Sequence, residues 1–272
     1  ENPSKIKLAV VAPCHNEEGN LDLLVERVQS VCSSLVSDNF EIILVNDGST
    51  DGTWEKIIYL SKNNTFIRGV NLSRNFGHQL ALSAGLKYCT GERILIIDAD
   101  LQDPIEVAEK MIIEWEKGYD VVAGKRNQRQ GVGIFRLLAA KYYYRFLNFI
   151  AETNIPLDTG DFRLISKKVI NEFNKFKEHK RYIRGLIAWM GFKSTSVLYD
   201  RVKRSKGVSK YNFRKIFNLA IDGITSFSVK PLRIIGILGF FISVISIFLI
   251  TYVFFVKTFQ SDVVKGWASI VT

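Results

Sequence analysis

The 272-residue chain is poor in cysteine, with only Cys14, Cys32 and Cys89. Their number is odd and their spacing suits no metal centre, so a disulfide framework is excluded and a reducing compartment is expected. Internal repeats and low-complexity tracts are missing too, which leaves out solenoid architectures and biased linkers. Two local absences say more. From Arg201 to Lys215 there are seven basic residues and no acidic one, and from Ile234 to Val256 there are 23 residues without any charge.

The net charge of +10 is concentrated around the first of these stretches. Lys177 to Arg233 holds fourteen Lys or Arg against three acidic residues, so the rest of the chain is close to neutral. Such a block suits nucleic acid, anionic lipid or phosphate substrates. The uncharged stretch beside it favours a membrane, and nucleic acid is not expected as a partner. At about 1.5 Å rise per residue the stretch crosses a hydrocarbon core of about 30 Å with some tilt. It is too long and too uniformly apolar for the core helix of a soluble domain of this size, and it stands too far from the N-terminus for a signal peptide. Basic residues before it outnumber Lys257 and Lys265 after it, which predicts a cytoplasmic N-terminal domain on an inner, plasma-type membrane. Gly236, Gly239, Ser243 and Ser246 recur at three and four residues, a small-residue face suited to close helix packing. A second apolar run opens at Trp267, and the sequence is expected to break off within a second span at Thr272. Glu1 in place of methionine points to an edited N-terminus.

With 47% hydrophobic and 24% charged residues, a packed core is expected ahead of the span. Short β-branched runs at Ile6–Ala12, Phe40–Asn46, Ile67–Leu72, Arg93–Asp98 and Asp120–Ala123 read as strands covered on both faces. Between them lie helical patterns: a stripe from Leu21 to Leu35, then Thr53–Ser61, His78–Tyr88 and Pro104–Lys117. Alternating strands and helices predict a doubly wound, mainly parallel α/β sheet, with ligands beyond the carboxyl ends of the strands. Further on, Ile134–Ile150 reads as an aromatic-rich amphipathic helix, and Phe162–Ile165 and Phe192–Tyr199 read as strands. Asn212–Ser228 reads as an amphipathic helix lying in the membrane interface. The expected organisation is a catalytic domain over 1–211, a juxtamembrane helix over 212–230, a transmembrane helix over 231–256 and the start of a second over 267–272.

Three strands end in polar loops, at Ala12–Glu18, Val45–Ser49 and Asp98–Pro104. In a parallel sheet these loops share one edge, so Asp47, Asp98 and Asp100 are expected to converge on one crevice. A leaving diphosphate needs its charge neutralised, and a hard cation such as Mg2+ or Mn2+ takes carboxylate oxygens while keeping positions for substrate and water. Asp98 and Asp100, at i and i+2, are the candidate metal ligands. Alone, Asp-x-Asp is as common in turns and caps, and Asp47-Gly48-Ser49 alone is a turn. Their joint placement at strand ends is what makes them specific.

Six segments carry a family resemblance: APCHNEEGN at 12–20, VNDGSTDGT at 45–53, LSRNFGHQLALSAGL at 72–86, IDADLQDP at 97–104, DTGDFRLI at 158–165 and RSKGVSKY at 204–211. Together they resemble the family 2 glycosyltransferases with the GT-A fold. Within these, the sequence is most similar to the polyisoprenyl-phosphate glycosyltransferases, which include dolichyl-phosphate mannose synthases, ArnC-like enzymes and GtrB-type bacterial glucosyltransferases. The resemblance implies that Pro13, His15, Glu17 and Asp47 hold the nucleoside and that Asp98, Ala99, Asp100 and Gln102 meet the donor and its metal. It also implies that Arg126 approaches the phosphates, that Asp161 is the candidate base, and that Arg201, Arg204, Lys206 and Lys210 form a basic loop over the phosphates. Arg136, Arg163, Arg204 and Lys210 are the candidates for an acceptor phosphate. His78 reads as a packing or capping residue.

The implied activity is an inverting transfer of a hexose, glucose from UDP-glucose, onto a polyprenyl phosphate such as undecaprenyl phosphate. GDP-mannose is the alternative donor, and a homo-oligomer is expected from the relatives. A sugar hydroxyl acceptor needs a base, whereas a lipid phosphate is already largely dianionic at pH 7, so Asp161 could position rather than deprotonate. Three other classes are disfavoured. A nucleotidyltransferase would carry a glycine-rich basic loop after the first strand, and Ala12–Glu18 has none. A processive polysaccharide synthase needs more spans. A non-catalytic membrane-tethered binder has no use for three convergent carboxylates.

Overall fold

The computed structural model describes residues 7–127, 159–177, 182–200 and 230–259. The first three stretches belong to one unit and the last to another.

In the first unit, the continuous apolar runs become strands buried on both faces. Strand β1 (Leu8–Cys14) and strand β2 (Phe40–Asn46) are buried at every position and pair in parallel from Leu8↔Phe40 to Cys14↔Asn46. On the outer side of β2 lies β3 (Ile67–Asn71), also parallel; on the other side of β1 lies β4 (Arg93–Ile96). The connecting helices are α1 (Leu21–Val36), α2 (Thr53–Asn63) and α3 (His78–Tyr88), with α4 (Val107–Glu116) leading into β5 (Val121–Arg126). Helix α1 turns Leu21, Leu24, Val25, Val28, Cys32 and Val36 inward, the three- and four-residue stripe expected of a helix on a sheet. Helix α3 comes so near the sheet that a Cβ on Gly85 would stand 2.5 Å from Val11 Cγ1 and 2.8 Å from Val45 Cγ2. Glycine at that position sets the close packing.

After the segment 128–158 the sheet departs from simple alternation. Strand β6 (Thr159–Ser166) inserts between β4 and β5 and runs antiparallel to both. Helices α5 (Lys167–Phe173) and α6 (Ile183–Trp189) follow, and β7 (Ser194–Tyr199) closes the sheet in parallel with β5. The seven-stranded order is β3-β2-β1-β4-β6-β5-β7. Four of its six pairings are parallel, so the expectation of a mainly parallel α/β sheet holds. The reversal of β6 is what pattern reading could not supply: a strand's residue pattern looks the same in either direction.

Strand β4 is shorter than the expected Arg93–Asp98. Ile97 N still donates to Val11 O at 3.1 Å, and the chain then leaves the sheet, so Asp98 and Asp100 stand on a loop.

The second unit contributes α7 (Lys230–Phe259), of which Ile235–Phe259 has a mean hydropathy of 2.5 and is long and apolar enough to cross a membrane. The hydroxyls of Ser243, Thr251 and Thr258 donate to the carbonyls of Gly239, Ile247 and Phe254, four residues back. Every hydroxyl so bonded is satisfied inside its own helix, as a hydrocarbon surrounding requires. The expected helices at Ile134–Ile150 and Asn212–Ser228 and the second apolar run at 267–272 lie outside the described residues.

Candidate active site

The carboxyl ends of β1, β2 and β4 form one edge, because the three strands are parallel neighbours. At the β1–β2 corner, His15 Nδ1 lies 2.9 Å from the Asp47 carbonyl oxygen. A carbonyl only accepts, so Nδ1 carries the proton, and Nε2 is left to accept from the Asn75 amide at 3.1 Å. The neighbouring loops are laced together: Asn16 N donates to Ser49 Oγ, Thr50 N donates to Asn16 Oδ1, and Glu17 N donates to Thr53 Oγ1. Asn16 has a φ of 57°, a left-handed conformation that asparagine tolerates better than most residues. Pro13 is buried within β1 opposite Val45, so it shapes the strand end.

Asp47 is buried, and both carboxylate oxygens are engaged. Oδ1 accepts from Phe76 N at 2.8 Å and Oδ2 from Gly77 N at 3.0 Å. Beside it Gly48 adopts φ 57°, and a Cβ there would stand 2.3 Å from the Arg74 backbone. The Asp47 loop therefore clamps the segment that starts α3. Of the three carboxylates expected to converge on one crevice, Asp47 spends its charge on backbone amides, which leaves Asp98 and Asp100 as the candidate metal ligands. Among the described residues, no group of three or more His, Cys, Asp or Glu is arranged to hold a metal.

At the β4 corner, Asp98 Oδ1 is buried and has no hydrogen bond. His78 Nε2 stands 3.6 Å from it. Burial, reinforced by the charges of Asp103, Asp161 and Asp100 against the pull of His78, pushes the Asp98 carboxyl up to about 6. A buried oxygen in that condition is short of a positive partner. The next residues turn sharply: Ala99 is buried, Leu101 has φ 60°, and Gln102 N donates to Asp100 Oδ1 at 3.2 Å. Asp98 and Asp100 are the residues at this corner that would hold a hard cation.

Because β6 is antiparallel, its beginning lies at the same edge. The pairing Ile96↔Arg163, continued by two residues, brings Asp161 abreast of Asp98. Asp161 is 7% exposed and is surrounded by donors. Arg184 approaches it with Nε at 2.8 Å and Nη2 at 3.2 Å, Gln79 Nε2 donates at 3.0 Å, and His78 Nε2 stands at 3.2 Å. Burial alone would raise this carboxyl. The His78 hydrogen bond and the charge and hydrogen bonds of Arg184, with Arg163 behind, outweigh it and hold the group well below the usual carboxylate range. In return His78 is shifted upward: burial opposes the charged ring, but its bond to Asp161 and the Asp98 and Asp161 charges prevail. Gln79 is itself fixed by Ile183 N, which donates to its Oε1 at 3.0 Å.

His78, Gln79 and Arg184 are the site residues that sequence reading missed. His78 opens α3 after a positive-φ glycine, which reads as a cap, and Arg184 is hidden in a basic stretch. The available signal was the Gly-His-Gln segment directly after the clamped loop. Arg163 is corrected in the other direction. It is 3% exposed and donates to Gly160 O at 2.8 Å, so it supports the Asp161 corner from below and does not face an acceptor. Burial pulls its guanidinium down to about 10. Arg126 is partly exposed at the end of β5 and donates through Nε to Tyr199 OH at 3.2 Å. Arg136, Arg201, Arg204, Lys206 and Lys210 lie outside the described residues.

Asp98 and Asp100 on the loop after β4, on the same edge as the β1–β2 corner of this α/β sheet, fit a glycosyltransferase of the GT-A class. Residues 9–173 match the description Glycosyl transferase family 2, and the chain belongs to that family. It is 42% identical over 266 residues to an uncharacterized glycosyltransferase of Synechocystis sp., covering 97% of this chain and 83% of that protein. It is 37% identical over 241 residues to a bactoprenol glucosyl transferase of Shigella phage SfX, covering 89% of this chain and 79% of that one. Among solved structures, a mannosyltransferase from Pyrobaculum calidifontis in complex with GDP-Man and Mn2+ superposes with a TM-score of 0.52 at 18% identity, over 79% of this chain and 61% of that one. That likeness supports the fold.

Proposed function

We propose that this glycosyltransferase moves glucose from UDP-glucose to a polyprenyl phosphate such as undecaprenyl phosphate, with inversion, at the cytoplasmic face of the membrane in which α7 is embedded. The observation that carries the reading is the state of Asp161. A base must be able to take a proton at working pH, and a carboxylate held far below its ordinary range by His78, Gln79 and Arg184 is a poor proton acceptor. An acceptor that already carries its own negative charge removes the need. The bactoprenol glucosyl transferase relative, similar along most of both chains, supports a lipid-linked phosphate in that role.

On this reading His15 and Glu17 at the β1–β2 corner bind the nucleoside, with Asp47 holding the adjoining loop in shape. Asp98 and Asp100 hold the diphosphate through Mg2+ or Mn2+, which neutralises the charge of the departing nucleotide. Gln102 and Arg126 flank the phosphates. Asp161 orients His78 and Arg184, so that a cationic side chain stands on the acceptor side, opposite the leaving group. The basic residues from Arg201 to Lys215 add about 1 kcal/mol each of attraction to an anionic membrane surface. The test is incubation with Mg2+ or Mn2+, undecaprenyl phosphate and a panel of labelled nucleotide sugars that includes UDP-glucose and GDP-mannose. Label from UDP-glucose is expected in an acid-labile, organic-extractable product. Label confined to water-soluble products, or full turnover in EDTA, sinks the reading.

A further inference from the structure

Tyr199, the last residue of β7, is 4% exposed and belongs to no motif singled out in the sequence. Its hydroxyl donates to Asp103 Oδ1 at 2.7 Å and accepts from Arg126 Nε at 3.2 Å. Three segments meet at this one oxygen: the loop that carries Asp98 and Asp100, the end of β5 and the end of β7. The ring is fixed by an edge-on contact with Phe162, 5.3 Å between centroids. On its other side Gly124 leaves the space it needs, since a Cβ there would stand 2.8 Å from Tyr199 Cε1. The strand end is also tied by Asn127, whose N donates to Tyr199 O and whose Nδ2 donates to Asp200 Oδ1.

The geometry of the charges is informative. Arg126 Nη2 stands 3.9 Å from Asp103 Oδ1, too far for a hydrogen bond. A buried carboxylate and a guanidinium left to themselves close to about 2.8 Å and pair bidentately. Here the Tyr199 hydroxyl stands between the two, donating to Asp103 Oδ1 and accepting from Arg126 Nε. We propose that Tyr199 is a positioning residue: its hydroxyl acts as a spacer that keeps Arg126 from collapsing onto Asp103 and so leaves the guanidinium for a substrate phosphate. This rests on the reading of a phosphate-bearing substrate given above.

The test uses the full chain and the variants Tyr199→Phe, Asp103→Asn and the double variant. With UDP-glucose and undecaprenyl phosphate, Tyr199→Phe is expected to raise KM about tenfold for whichever substrate presents its phosphate to Arg126, the scale of a lost charge-assisted hydrogen bond, with kcat changed far less. Adding Asp103→Asn removes the competing charge and is expected to return KM to within about threefold of the wild type. A tyrosine that served only packing predicts the opposite, a double variant worse than either single one. KM unchanged for both substrates in Tyr199→Phe, or no rescue in the double variant, overturns the proposal. A crystal structure of Tyr199→Phe separates this outcome from the functional reading. If the wild type transfers no glucose, that reading fails, and the spacer stands or falls on whether the Arg126 guanidinium has moved onto the Asp103 carboxylate.

Discussion

Two carboxylates stand side by side at the edge of β4 and β6, and they are in opposite states. Asp98 has a buried oxygen without a hydrogen bond and a carboxyl pushed up to about 6. Asp161 is met by Arg184, Gln79 and His78 and is held well below its usual range. The Asp98 side chain is 26% exposed and that of Asp161 only 7%, so burial alone would raise Asp161 at least as much; the supply of donors reverses the order. The difference teaches which corner is waiting for a charge to arrive and which one already has its charge matched. On the proposed function a cation would sit beside Asp98, and Asp161 would hold the cationic side chains of His78 and Arg184 toward an anionic acceptor.

Substitutions at these corners can break the comparison. The largest effect is expected from Asp98→Asn, which should lower transfer about 10^2- to 10^3-fold, measured as initial rate at saturating donor. The same variant should be the more stable protein at neutral pH without metal. The folded Asp98 carboxyl is raised to about 6, so its ionisation costs stability in full above that pH, and the cost fades as pH falls to below about 4, where the group is protonated folded or unfolded. Melting temperatures of the two proteins should therefore converge in acid, and added Mn2+ should raise the melting temperature of the wild type alone.

Asp161→Asn should do the reverse, losing stability. Removing the anion leaves His78 and Arg184 facing an amide, at a cost of about 2–4 kcal/mol by denaturant unfolding. The folded carboxyl is depressed, so its contribution is complete above about pH 4 and is lost as pH falls through the folded value; the variant should show a flatter acid limb. Its residual activity should keep the wild-type pH profile, and a variant whose profile loses its acid limb would restore Asp161 as a base.

Smaller effects sharpen the picture. Asp47→Asn turns an amide NH2 toward one of the backbone amides at Phe76 and Gly77, with an expected loss of about 1–2 kcal/mol and a raised KM for the donor. Lys175→Ala removes an exposed i,i+3 pair with Glu172 and should change stability by less than about 0.5 kcal/mol. A larger loss there would mean that the contrast between built and surface charges has been overdrawn.

Much of this was legible in the sequence. Continuous β-branched runs such as Leu8–Val11 and Ile42–Val45 identify covered parallel strands, and the polar residues just past them identify the working edge. Asp98 and Asp100 could be read from their place after Arg93–Ile97. What escaped depends on strand direction and on distant pairing. Nothing in Thr159–Ser166 says that it runs backwards, so Asp161 could be assigned only through family resemblance. His78 and Arg184 gain their meaning from a partner 83 and 23 positions away. Asp47 read only as one of the converging carboxylates because its use by two backbone amides has no sequence signature.

The reversed strand has a consequence for how such a protein can diversify. Asp161 reaches the rim from the start of β6, and the segment from 128 to 158 joins the end of β5 to that start at the same rim. A connection whose two anchors are neighbours can lengthen, shorten or change character while both anchors stay in register. If the proposed function holds, a donor site built on the first hundred residues or so would be uncoupled from that connection, and lineages could retune one without rebuilding the other.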